Sequence, residues 1–163
     1  MTVRPSDTAR DMLLRAIQIE VRNGALYDSL AEIFRGYEPT ITETFREMAG
    51  EERQHGTELK AYFRAEFGPV PLLTGEPKEV IEAPDLEDPE ALIFDSMAIE
   101  QALEIGLHAE EAAREFYRLE LSHASDPELQ RIFRELGEFE ERHVQILQEK
   151  LAERKRVASP TSR

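Results

Sequence analysis

Two short stretches place an imidazole three residues after a carboxylate: EERQH at 51–55, with Glu52 and His55, and EERH at 140–143, with Glu140 and His143. On an α-helix, residues i and i+3 share a face, so each pair can aim one oxygen donor and one nitrogen donor at a common point. Both pairs interrupt apolar stripes. Phe45, Met48, Leu59 and Phe63 flank the first, and Ile132, Phe133, Leu136, Leu147 and Leu151 flank the second. The pairs are therefore expected to point into a core, where an unpaired carboxylate costs several kcal/mol. Carboxylate and imidazole without thiolate form a ligand set for iron or manganese.

The two halves of the chain resemble each other, which supplies further donors. IEVRNGALYDSLAEIF at 19–34 aligns with AEEAAREFYRLELSHA at 109–124, setting Glu20 over Glu110 and Tyr27 over Tyr117. FREMAGEERQHGTEL at 45–59 aligns with FRELGEFEERHVQIL at 133–147 across a one-residue gap, setting Glu52 over Glu140 and His55 over His143. About 15 residues separate Glu20 from the following turn, and about 13 separate that turn from Glu52, so the two should lie level on antiparallel helices. The same reckoning pairs Glu110 with Glu140. Four glutamates and two histidines make a cage for two metal ions, whose charge would offset the burial of the carboxylates.

Other polar groups have plainer readings. Glu120 and His123 form a third Glu-x-x-His, without a counterpart in the other half, and are read as surface chemistry. Glu100, Glu104, His108 and Glu111 form a stripe rotated away from Glu110, expected to be a solvated face. Tyr27 and Tyr117 lie two turns beyond Glu20 and Glu110, where they either hydrogen-bond to ligand carboxylates or simply pack. Gly24 either permits close helix approach or is merely tolerated.

Four amphipathic segments must position these groups, at about 7–35, 40–67, 90–123 and 126–156. Ser6 or Asp7 can cap the first, Pro39 suits the first turn of the second, and Gly68-Pro69 ends it. SDPE at 125–128 offers a capping box for the fourth. Residues 68–89 are proline-rich and aperiodic and read as a linker, and 157–163 as a frayed tail. Short turns within each pair predict two antiparallel hairpins. The linker, extending past about 60 Å, can return along a helix of about 42 Å. The expected architecture is an all-α, ferritin-like four-helix bundle, two helical hairpins joined by a long crossover, as a single domain over 1–163.

Composition narrows the function classes. The 163 residues contain no cysteine, which removes disulfides, thiolate catalysis and iron–sulfur chemistry from them. A net charge of −14 opposes bulk attraction to nucleic acid or anionic lipid. No apolar run approaches the ~20 residues of a membrane span, and MTVRPSDTARDMLL lacks a signal-like apolar segment, so a cytoplasmic location is expected.

Glu20, EERQH, Glu110, EERH and the two tyrosines together resemble the rubrerythrin branch of the ferritin-like superfamily, over roughly residues 8–153. The resemblance implies two Fe ions, with Mn an alternative, held by Glu20, Glu52, His55, Glu110, Glu140 and His143. It also implies reaction with peroxide or dioxygen, as a peroxidase or as a ferroxidase acting on Fe(II), and a homodimer. Rubrerythrins carry a four-cysteine rubredoxin-like domain that delivers electrons, whereas these residues hold no cysteine. Electrons would then come from an external donor or from Fe(II) itself. Rubrerythrins also carry an additional glutamate one turn after the third-helix ligand, where this chain has Ala113. The competing expectations are a di-iron hydroxylase of an organic substrate and a non-catalytic iron-binding helical module.

Overall fold

The computed structural model of the protein describes residues 8–73 and 91–158. Within them lie four α-helices and no strand: α1 (Ala9–Ile33), α2 (Pro39–Phe67), α3 (Ala91–His123) and α4 (Pro127–Ala158). α1 packs along α2 and α3 along α4, and α1 also meets α3. This is the expected bundle of two hairpins. Residues 74–90, which hold most of the predicted linker, lie outside the described residues, as do Ser6, Asp7 and 159–163 of the tail.

The helix ends follow from local chemistry, with three departures from the sequence reading. α1 is capped by Thr8, whose hydroxyl accepts from the Asp11 backbone N–H at 3.1 Å. α4 starts on an aspartate cap instead of a Ser125 box: Asp126 Oδ1 accepts from the N–H groups of Glu128 and Leu129 at 2.8 and 2.9 Å. One residue nearer the helix, the Asp126 carboxylate stands directly before the orphan donors of the first turn. Val157 and Ala158, assigned to the tail, continue α4. Pro39 occupies the first turn of α2, where its missing N–H costs nothing. Gly36 (φ 84°) and Gly68 (φ 82°) take the left-handed conformations that end α1 and α2.

The interior is layered along the bundle axis. One apolar layer gathers Tyr27, Leu30, Phe45, Met48, Leu103 and Leu147. The other gathers Leu13, Ile17, Phe63, Tyr117, Leu129 and Phe133. Tyr27 stacks on Phe45 with ring centroids 5.9 Å apart, and Tyr117 tilts against Phe133 at 5.7 Å. Each fully buried side chain of this size stabilises the fold by about 1.5–3 kcal/mol. Between the two layers lies a polar stratum of glutamate and histidine.

Two buried glycines differ in how tightly they are placed. A Cβ on Gly24 would stand 3.5 Å from Glu52 Cβ, an ordinary contact, whereas one on Gly106 would stand 3.1 Å from Tyr27 Cε1 and 3.3 Å from Leu147 Cδ1. Gly24 is therefore tolerated, and Gly106 is required by the tyrosine. Gly24→Ala is expected to raise unfolding free energy by up to about 1 kcal/mol in urea denaturation, the gain of alanine over glycine in a helix. Gly106→Ala is expected to show no such gain, because Tyr27 and Leu147 must move.

Candidate metal centre

All six residues singled out as donors meet in the polar stratum. α1 contributes Glu20, α2 Glu52 and His55, α3 Glu110, and α4 Glu140 and His143. Their ligand atoms fall into two overlapping groups, each within 4.8 Å: Glu20, Glu52, His55 and Glu140 in one, and Glu52, Glu110, Glu140 and His143 in the other. Glu52 and Glu140 belong to both. The four carboxylates are fully buried, and His55 and His143 are 5% and 1% exposed.

Contacts within the stratum converge without satisfying one another. His143 Nδ1 lies 3.0 Å from Glu52 Oε1, 3.5 Å from Glu110 Oε2 and 3.8 Å from Glu140 Oε2. Yet His143 Nδ1, both oxygens of Glu52, both of Glu140 and Glu110 Oε2 make no hydrogen bond. Leaving a buried polar atom unsatisfied costs about 1–3 kcal/mol, more if charged. Six such atoms around one space fit a pair of cations held by oxygen and nitrogen. His55 Nδ1 lies 3.3 Å from Glu20 Oε2, in the group that holds both.

The tyrosines cross between hairpins. Tyr27 of α1 donates to Glu110 Oε1 on α3, and Tyr117 of α3 donates to Glu20 Oε1 on α1. The hydrogen-bonding alternative of the sequence reading is the one realised, although each tyrosine serves the opposite hairpin. Burial first, and then the facing carboxylate, raises both phenols well above their ordinary value. The proton therefore stays on the phenol and fixes one oxygen of each glutamate.

Four further features were not legible as site features. Glu51 on α2 accepts from His143 Nε2 at 2.5 Å, whereas its counterpart in the repeat, Phe139, sets its ring against His55 with centroids 4.6 Å apart. Asn23 is 1% exposed with both amide atoms unbonded, one turn past Glu20 at the position matching Ala113. Glu120, read as surface chemistry, is fully buried and faces Arg15 at 3.7 Å. It continues the Glu110–Tyr117 face by three residues, a spacing that could have revealed it. His123 is exposed, and neither residue joins the donor groups. Glu104 and His108 face solvent, with Glu100 and Glu111 half-buried beside them, and this stripe also stands apart from the donors.

A four-helix bundle with one Glu from each of two helices and Glu-x-x-His from each of the others defines the class of dinuclear carboxylate proteins. The family model described as Rubrerythrin matches residues 11–151, and the chain belongs to that family. Membership implies a di-iron carboxylate site. Among solved structures, a hypothetical protein from Pyrococcus furiosus is similar at 24% identity and a TM-score of 0.71, over 90% of this chain and 89% of its own, a likeness of fold. No curated protein matches the chain. No helix among the described residues is long and apolar enough to cross a membrane.

Without metal, protons take the role of neutralising the cage. Burial above all pushes Glu52 from 4.5 to about 9, against the opposing pull of His143. Burial likewise raises Glu140 well above its ordinary value. Burial would raise Glu110 too, but Glu140, His143 and Tyr27 hold it below the usual range. For His143 burial acts downward, and Glu110, Glu52 and Glu51 overcome it, pushing the imidazole from 6.5 to about 11. Both shifts mean that the folded state keeps a proton that the unfolded chain releases. Stability from His143 is full below pH 6.5 and is lost as pH rises through about 11, and the Glu52 contribution falls from 4.5 through about 9. The metal-free bundle is therefore expected to lose stability steadily from pH 6.5 to 9 in denaturant titrations. Metal binding, which needs the deprotonated donors, should tighten over the same range and release protons, measurable by calorimetry in buffers of different ionisation enthalpy.

Proposed function

We propose that the protein is a di-iron oxidoreductase that oxidises Fe(II) with peroxide or dioxygen. The observation that carries this reading is the pair of donor groups sharing Glu52 and Glu140, with six buried donor atoms lacking any hydrogen bond. In this reading Glu20, Glu52, His55, Glu110, Glu140 and His143 hold the metals, with Glu52 and Glu140 common to both. Iron held there supplies the redox chemistry: two Fe(II) give two electrons, which with two protons reduce one hydrogen peroxide to two waters.

The surrounding residues hold and exclude. Tyr27 and Tyr117 each fix one oxygen of a terminal glutamate and leave the other to face inward. The apolar layers on either side keep bulk water from the stratum, so the electrostatic attraction of carboxylate for cation is weakly screened. Glu52, Glu140 and His143 carry exchangeable protons inside the cage when no metal neutralises it. With no cysteine in these 163 residues, they contain no thiolate centre that could pass electrons to the site. This favours Fe(II) itself, or a separate donor, as the reductant, and hence iron oxidation over a self-contained peroxidase.

Anaerobic titration of the metal-free protein with Fe(II), followed by air or peroxide, tests the reading. Saturation at about two irons per chain and rapid growth of ferric absorbance are expected, and the faster oxidant identifies the physiological one. Glu52→Ala, which removes a donor common to both groups, should abolish stoichiometric binding, and His143→Ala should lose at least one iron. Both variants should retain a helical fold, because the two apolar layers that supply the buried hydrophobic surface are untouched. Unchanged iron content in either variant would sink the assignment.

A further inference from the structure

The near-symmetry of the stratum breaks at one place. Glu51 and Phe139 occupy equivalent positions, each one residue before a shared glutamate, and each reaches across to the histidine of the other hairpin. Glu51 accepts from His143 Nε2 at 2.5 Å. Because a carboxylate only accepts, this bond puts the proton on Nε2 and turns Nδ1 inward as the donor atom. Phe139 offers His55 only a ring, 4.6 Å away between centroids, and among the described residues His55 Nε2 has no hydrogen-bond partner.

A second observation falls on the same side. A pocket of about 270 Å³ lies between α2 and α4, with His55 and Phe139 in its lining beside Glu58, Tyr62, Glu128 and Glu135. Arg131, also lining it, pairs with Glu128 at 2.5 Å and Glu135 at 2.7 Å, leaving the wall with three carboxylates against one cation. His143 does not line it.

We propose that the two metal positions are unequal by construction: Glu51 secures the ion at Glu110 and His143, while the ion at Glu20 and His55 exchanges through the α2–α4 pocket. This rests on the dinuclear reading above. Glu51 is a positioning residue, acting through His143. A carboxylate behind a ligating imidazole raises its basicity and fixes its orientation, worth about 10–100-fold in metal affinity. Phe139 supplies neither effect.

The test loads the metal-free protein with Co(II), then adds excess chromophoric chelator and follows release of each ion. Wild type is expected to lose one ion quickly and the other about 10–100-fold more slowly. Glu51→Gln should speed the slow phase and leave the fast one unchanged, with Glu51→Ala at least as strong. Phe139→Glu should slow the fast phase. Glu58→Trp, at the pocket wall, should slow both uptake and loss of the fast ion at unaltered affinity. Glu51 is half exposed and a glutamine there keeps an acceptor for His143 Nε2, so Glu51→Gln should stay folded when metal-free, separating positioning from loss of structure. A single release phase in wild type, or a Glu51→Gln effect on both phases alike or on neither, overturns the inequality. A Glu58→Trp variant with unaltered rates overturns the pocket as the route. Binding of fewer than two Co(II) per wild-type chain overturns the dinuclear reading itself, and is read from stoichiometry before any rate.

Discussion

Four glutamates buried in one layer are the constraint around which the rest of the molecule is arranged. Like charges a few ångströms apart in a medium of low dielectric constant cannot all ionise unless something positive joins them. The metal-free protein meets this with protons on Glu52 and Glu140 and an imidazolium at His143, and a metal-loaded one would replace those protons with cations. Everything nearby limits the other outcome, in which water enters and solvates the charges. The layers around Phe45 and Phe133 close the stratum above and below. The glycine at 106 lets Tyr27 sit close enough to reach Glu110.

The centre was legible in the sequence to the extent that it obeys helical periodicity. Glu-x-x-His on an apolar stripe, repeated at matching positions and levelled against Glu20 and Glu110 by counting residues to the turns, needs no tertiary knowledge. Contacts between hairpins were harder to foresee. Whether Tyr27 serves its own hairpin or the other depends on how the hairpins dock, which no local spacing encodes. Glu51 looks like one more surface glutamate in an acidic chain, and only its pairing with Phe139 in the repeat marks it as a break in symmetry. Glu120 was misjudged for a similar reason. Its own helix turns it inward on the Glu110 face, but Arg15, which faces it, comes from α1. The caps at Thr8 and Asp126 lie within two residues of those expected, the usual latitude where several short polar side chains compete for one helix end.

Departures from the family pattern concentrate one turn beyond the terminal glutamates. Ala113, where rubrerythrins carry an additional carboxylate, is buried in this protein, and among the described residues Glu110 is the α3 carboxylate that joins the candidate donor groups. The matching position on α1 holds Asn23, an amide that is buried and unbonded. The polar group at this level thus sits on the first hairpin and is neutral. It adds no charge to a layer already carrying as many carboxylates as two divalent cations can balance, and it supplies both a donor and an acceptor beside Glu20.

The crossed tyrosines carry a consequence about ancestry and assembly. Each hairpin supplies a phenol that it does not itself use and a terminal glutamate that it cannot itself fix. Neither half is therefore self-sufficient, yet each offers what an identical copy would lack. A lone hairpin of this sequence type could complete the layer by pairing with its twin about a two-fold axis. The present chain has the form of such a pair joined in tandem, and the exchange of Glu51 for Phe139 between equivalent positions marks where its two halves differ.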